Sequence, residues 1–178
     1  MRTGNTRPQC PYCGFNAVCY KPAPHHLPLD TILGGKYLLG CVIGQGGFGI
    51  TYIGRDLSSG QKVAVKEFYP AGFATRETTA ANLVRPYTGR QGEYFLKGRA
   101  CFIEEARALA RFSSMAGVVS VRDFFQENGT AYIVMEFIEG LTFKAYLQKT
   151  GGRLPAAQVL EMTRPVMESL EAVHAAGI

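Results

Sequence analysis

The sequence predicts an α+β chain: an antiparallel β-meander with one main helix against it, then two more strands and two further helices. Three observations carry this. "YLLGCVIG", "ITYIGRD" and "KVAVKEF" are short runs rich in β-branched and aromatic residues, separated by glycines and by an "LSSG" turn. "KGRACFIEEARALARF" repeats apolar residues at three- and four-residue steps, through Phe102, Ala106, Leu109 and Phe112, as a helix with one buried face does. Between the first two strand runs lies a glycine triplet in G-x-G-x-x-G spacing: Gly44, Gly46 and Gly49.

Taken in order, residues 1–29 are rich in Cys and Pro. Prolines at 22, 24 and 28 favour an extended, semi-stiff linker there. The three strand runs follow from Tyr37. Residues 69–96 carry Pro70, Pro86 and scattered Gly and Thr, and are expected as a loop. The helix over 97–112 comes next. "GVVSVRDFF" and "TAYIVMEFI" are two strands joined by "QENG". "TFKAYLQK" is a short helix, "GGRLP" interrupts it, and Pro155 opens a longer helix to about residue 176. The expected organisation is therefore 1–29, 30–140 and 141–178.

Composition narrows the function. Hydrophobic residues make up 47% and charged residues 19%, so most of the chain should fold. The net charge of +5 comes without a dense Lys/Arg block, so an ordinary surface is expected rather than a nucleic-acid interface. No apolar run reaches the roughly 18 residues of a membrane span. The N-terminus lacks the apolar core of a signal peptide, and the five cysteines are odd in number. Reduced thiols in a cytoplasmic setting are expected.

The glycine triplet by itself fits two phosphate-binding designs. In the dinucleotide design the glycines lead directly into a helix. Here they lead into Ile50, Thr51, Tyr52 and Ile53, which are strand formers. No Gly-Lys-Ser/Thr closes the loop, so it is not a Walker loop either. It reads as a strand–glycine–strand turn with Lys66 on the next strand. Glycines let backbone N–H groups approach phosphate oxygens, and Lys66 can reach the same oxygens. Its long side chain needs an anion to fix it. In the helix register Glu105 lies on the side of Phe102 and Leu109 and should point inward, whereas Glu104 should face solvent.

This set resembles a eukaryotic-like (Hanks-type) serine/threonine protein kinase, from about Tyr37 to the last residue. The resemblance implies a kinase N-lobe, with a five-stranded antiparallel sheet and one main helix, then a hinge and the first helices of a truncated C-lobe. It implies an ATP site built from Ile43, Gly44, Gly46, Gly47, Phe48, Gly49, Thr51, Ala64, Lys66, Met135, Glu136 and Ile138. Phe48 would be the loop tip, Ala64 would cover the adenine and Met135 would be the gatekeeper. The backbone of Glu136 and Ile138 would bond the adenine edge. Lys66 and Glu105 would form the catalytic ion pair, and Leu109 and Val121 would belong to a regulatory spine. The implied partners are ATP, with Mg²⁺, and protein substrates whose hydroxyls take the γ-phosphate. Two departures stand out. Thr51 occupies a position where the family usually has Val, and the segment between Lys66 and Glu105 is longer than usual. The motifs "HRD" and "DFG" do not occur in the 178 residues. These carry the family's catalytic base and metal-holding residues. The chain is therefore expected to be a fragment of a longer kinase, inactive alone.

At the N-terminus, "CPYCGF" looks like one zinc knuckle, with Cys10 and Cys13 at C-x-x-C spacing. Zinc takes four ligands. Cys19 with His25 or His26 could complete a site, although the spacing is irregular, and half of a zinc ribbon is the preferred reading. Cys41 and Cys101 are expected as core residues. The alternative function is a non-catalytic, pseudokinase-like interaction module with a zinc-knuckle adaptor. A zinc-ribbon nucleic-acid binder rests on "CPYC" and mild basicity alone.

Overall fold

The structure, a computed structural model, describes residues 20–77 and 82–177. The knuckle cysteines Cys10, Cys13 and Cys19 lie outside the described residues. Eight strands and three helices follow one another as β1 (Ile32–Leu33), β2 (Tyr37–Gly46), β3 (Gly49–Asp56), β4 (Lys62–Phe68), β5 (Ala74–Glu77), β6 (Leu83–Pro86), α1 (Arg90–Ala110), β7 (Val121–Glu127), β8 (Thr130–Glu136), α2 (Phe143–Lys149) and α3 (Ala156–Ala175). The five strands expected from the sequence form one antiparallel sheet, with the two-residue β1 added at its edge, in the order β1-β2-β3-β4-β8-β7. The chain leaves the sheet after β4, runs through β5, β6 and α1, and returns as the β7–β8 hairpin, whose second strand pairs with β4.

Strand alternation divides this sheet into two faces. On one, Ile50, Tyr52, Val63, Val65, Tyr132 and Val134 pack with Leu27, Leu33, Tyr37 and Leu39. On the other, Phe68, Ala131 and Ile133 receive Phe95, Phe102, Ile103 and Ala106 of α1. Gly98 permits this close seating: a Cβ there would stand 2.8 Å from the Phe68 ring. The Phe68 ring lies 5.3 Å from that of Phe95 and 5.4 Å from that of Phe102.

The stretch 69–96 is not simply a loop. It holds a second, two-stranded sheet, β5–β6, and α1 begins at Arg90, ahead of the expected Lys97. The strands "ATRE" and "LVRP" are four residues each; burial alternates along the first, but its second inward residue is Arg76, so no apolar alternation marks it in the sequence. Ala74 and Val84 join the α1 side of the core.

A buried ion pair fastens this hairpin to the main sheet. The Arg76 Nη2 donates to Glu67 Oε2 at 2.6 Å, with both side chains wholly removed from solvent. The hydroxyls of Tyr52 and Tyr132 donate to the same carboxylate at 3.0 and 2.9 Å. The rest of the guanidinium donates to His25 O (2.7 Å) and Asn82 O (2.8 Å) and lies over the Tyr69 ring. Among the described residues, no buried side-chain polar atom is left without a partner. Burial, and then the Glu67 charge, push the Tyr52 and Tyr132 hydroxyls far above the ordinary tyrosine range, so both remain donors. The proline-rich stretch expected as a linker also packs here. Leu27 is buried, and its N–H donates to Tyr52 Oη at 3.1 Å.

The last helices sit at the periphery. Thr142 caps α2 by accepting from Ala145 N–H. The α3 helix meets the loop before β7 through Ser169 Oγ, which donates to Ala116 O, while Leu160, Met162, Val166, Met167 and Leu170 are exposed.

Candidate functional site

The glycine triplet forms the turn between β2 and β3. Gln45 pairs with Ile50 and Gly46 with Gly49, and Phe48 at the tip is 78% exposed. Gly49 is required sterically, since a Cβ would stand 2.1 Å from Glu67 O on β4. Gly46 and Gly47 face open space, with nothing within 4 Å of where a Cβ would be. The tip is held from behind. Tyr69 N–H donates to Phe48 O and Ala71 N–H to Gly47 O, both at 3.3 Å.

Lys66 lies beside this turn because β4 pairs with β3 in register, Thr51 opposite Lys66 and Ile53 opposite Ala64. On the other edge of β4, Lys66 faces Ile133 and Ala64 faces Met135. Thr51, Ala64, Lys66 and Met135 thus share the sheet face that α1 covers. A cavity of about 430 Å³ opens between that face and the helix. It is lined by Phe48, Lys66, Phe68, Gly98, Cys101, Phe102 and Glu105.

Glu104 and Glu105 are both exposed; Glu104 accepts from Arg107 at 2.6 Å, while Glu105 lines the cavity. The Lys66 ammonium lies 5.4 Å from the centroid of the Phe102 ring. Of the five ion pairs among the described residues, none joins Lys66 to Glu105. Cys101, expected in the core, is exposed at the cavity wall, because it precedes the inward-facing Phe102 by one helical position. Cys41 is half-buried.

The remaining predicted residues do not line this cavity. Ala64 and Met135 are half-buried farther along the same face. Glu136 ends β8 and exchanges hydrogen bonds with Ser120, and Ile138 beyond it is 69% exposed. Ile43 is 48% exposed on β2, two residues before Gln45. Leu109 and Val121 are half-buried, and Val121 packs at the margin of the α1 core.

Sequence reasoning missed three contributors. Arg76 and Glu67 clamp the strand that carries Lys66. Gln45, between the first two glycines, is bridged by His25 and His26. Among the described residues, no group of three or more His, Cys, Asp or Glu side chains could hold a metal ion. No helix there is long and apolar enough to cross a membrane.

The chain is similar to several known proteins. Residues 37–178 match the family model described as protein kinase domain. A probable serine/threonine-protein kinase of Streptomyces coelicolor is 33% identical over 82% of this chain and 19% of its own length. The serine/threonine-protein kinase PknA of Mycobacterium tuberculosis is 32% identical over 84% of this chain and 31% of its own. Among solved structures, the apo form of PpkA-294 has a TM-score of 0.76 at 31% identity, covering 86% of this chain and 53% of that one. The chain thus spans about half of that structure and under a third of those two curated relatives.

Proposed function

The chain belongs to the protein kinase family, and from that premise we propose that it supplies the ATP-binding part of a serine/threonine protein kinase. The observation that carries this is the gathering of Phe48, Lys66 and Glu105 around one cavity beside a glycine turn in which Gly46 and Gly47 face open space.

In this reading residues 30–140 form the nucleotide-binding lobe and hinge, and residues 141–178 begin the helical lobe. The amides of the glycine turn and the Lys66 ammonium neutralise the phosphates. Glu105 fixes Lys66 once the ammonium leaves Phe102. Ala64 and Met135 bound the adenine, with backbone groups of Glu136 and Ile138 at its edge and Thr51 and Ile43 above it. ATP supplies the phosphoryl group that the complete kinase delivers to a protein hydroxyl. The family's catalytic base and magnesium ligands belong to motifs that these 178 residues do not contain, so no proton or metal step is assigned to any residue here. The chain alone is read as nucleotide-holding and inactive, in the cytoplasm.

One observation favours the second reading, an interaction module without catalysis. It is the position of the Lys66 ammonium over Phe102 rather than on Glu105. Calorimetric titration of the chain with Mg-ATP separates the two. The kinase reading expects saturable binding that Lys66→Met weakens about tenfold or more, as loss of a charge-assisted contact should. Absence of binding at millimolar nucleotide would leave the module reading. In a kinase carrying this chain, Lys66→Met should abolish transfer. Transfer within about tenfold of wild type would refute the role of Lys66. A zinc knuckle at Cys10 and Cys13 stays part of the proposal on its C-x-x-C spacing alone.

A further inference from the structure

His25 and His26 are adjacent in a stretch with no nucleotide-binding motif, yet both reach the glycine turn. The contacts form a directed chain whose proton positions follow one from another. Ala23 N–H donates to His26 Nδ1 at 3.1 Å, so the His26 proton sits on Nε2. That Nε2–H donates to Gln45 Oε1 at 2.9 Å, which fixes the orientation of the Gln45 amide. The Gln45 Nε2 then donates to His25 Nε2 at 2.9 Å, which places the His25 proton on Nδ1. His25 is itself held. Its ring stacks on Tyr69 at 5.6 Å, and its carbonyl accepts from Arg76 Nε at 2.7 Å. Gln45 is therefore gripped from two sides by a segment anchored through Leu27 in the core.

We propose that His25 and His26 are positioning residues for nucleotide binding, which hold the glycine turn through Gln45. The inference rests on the reading of this site as an ATP site. A glycine-rich turn is mobile by composition, and ordering it on binding costs affinity. Here the ordering is done beforehand. Two side-chain hydrogen bonds hold Gln45, and two backbone bonds from Tyr69 and Ala71 hold the tip. The longer segment after Lys66 thus has a role: its first residues and Arg76 support both the turn and the histidines that grip it.

The test uses the full 178-residue chain and two readouts: ¹⁵N relaxation of residues 44–49 and Mg-ATP affinity. Gln45→Ala and His26→Ala should lower the order parameters of the turn from the rigid range near 0.85 to below about 0.6 while those of β4 stay unchanged. Affinity for Mg-ATP should fall about threefold to tenfold, as loss of one or two exposed hydrogen bonds allows. His26→Gln, whose amide can still donate to Gln45 Oε1, should restore both. Turn order parameters unchanged in Gln45→Ala would overturn the proposal, and so would a loosened turn with unaltered affinity. If the wild-type chain fails to bind Mg-ATP while the turn still loosens as expected, the ATP-site reading fails and only the clamp on the turn stands. If nucleotide binds equally to wild type and variants with a rigid turn, the clamp fails and the ATP-site reading stands.

Discussion

Arg76→Met is the most informative single perturbation of this fold. The guanidinium and the Glu67 carboxylate are both fully buried and 2.6 Å apart. Methionine fills much of the volume but leaves Glu67 charged and buried, with only the Tyr52 and Tyr132 hydroxyls for partners. It also strips hydrogen bonds from His25 O and Asn82 O. Breaking a buried pair on one side costs about 3–5 kcal/mol. That is a large share of the roughly 5–15 kcal/mol that holds a domain together. At about 2–4 °C per kcal/mol for a chain of this size, the melting temperature should fall by roughly 6–20 °C. Urea unfolding followed by circular dichroism suits a chain without tryptophan. Adding Glu67→Gln to Arg76→Met should return about 1–3 kcal/mol, because the neutral amide can accept from one tyrosine through its oxygen and donate to the other hydroxyl through its NH2, and no lone charge is buried. A cost below about 1 kcal/mol for Arg76→Met would refute the pairing of Arg76 with a buried Glu67 charge. So would a Glu67→Gln substitution as damaging in the variant as in the wild type.

Gly49→Ala should destabilise the chain by about 1–3 kcal/mol in the same assay, because its Cβ would stand 2.1 Å from Glu67 O, whereas Gly47→Ala meets nothing within 4 Å and should be close to neutral. Tyr52 and Tyr132 have folded pKa values raised above the unfolded value of 10.0, so their contribution is intact below pH 10 and is lost as pH rises beyond it. Alkaline melts should show a decline above pH 10 that flattens in Tyr52→Phe, and an unaltered slope would contradict the assignment. In α3 five large apolar side chains are exposed, from Met162 at 41% to Met167 at 62%. Burying such a side chain is worth about 1.5–3 kcal/mol, so the full chain should self-associate more and melt lower than one ending at Gly140. Light scattering and melts compare the two, and a monomeric full chain that melts higher would show that the stripe has a partner within it.

The five principal strands were legible in the sequence because each is a compact β-branched or aromatic run ended by glycine or a turn. That Glu105 rather than Glu104 lies at the cavity follows from the helix register set by Phe102 and Ala106, although Glu105 remains exposed there. The β5–β6 hairpin was not legible. Its strands mix Thr, Arg, Glu and Pro with single apolar residues, and they are held by an arginine whose partner lies on another element. Arg76 and Glu67 look like ordinary surface charges, since nothing local marks a charge as buried. Leu27 was hidden between prolines that favour an extended segment. Such a segment can still run along a sheet and place one side chain in its core. Cys101 is exposed because it sits one position away from the inward face of α1, where apolar character does not bring burial. The distance between Lys66 and Glu105 depends on where the helix seats, a tertiary quantity that no spacing encodes.

The two residues that would pair in the proposed ATP site, Lys66 and Glu105, stand on supports of unequal stiffness. Strand β4 is bonded along both edges, to β3 and to β8, and its next residue, Glu67, is locked on the opposite face. Helix α1 is seated on the sheet by side chains alone, chiefly Phe95, Phe102, Ile103 and Ala106. In hydrogen-exchange terms, β4 amides should open only when the whole lobe opens, while those of α1 open through smaller excursions. Closing the gap is then a matter of helix travel and lysine rotamer, with the strand as the fixed reference. If the proposed pair forms, a contact on the outer side of α1 should change how often the two charges meet.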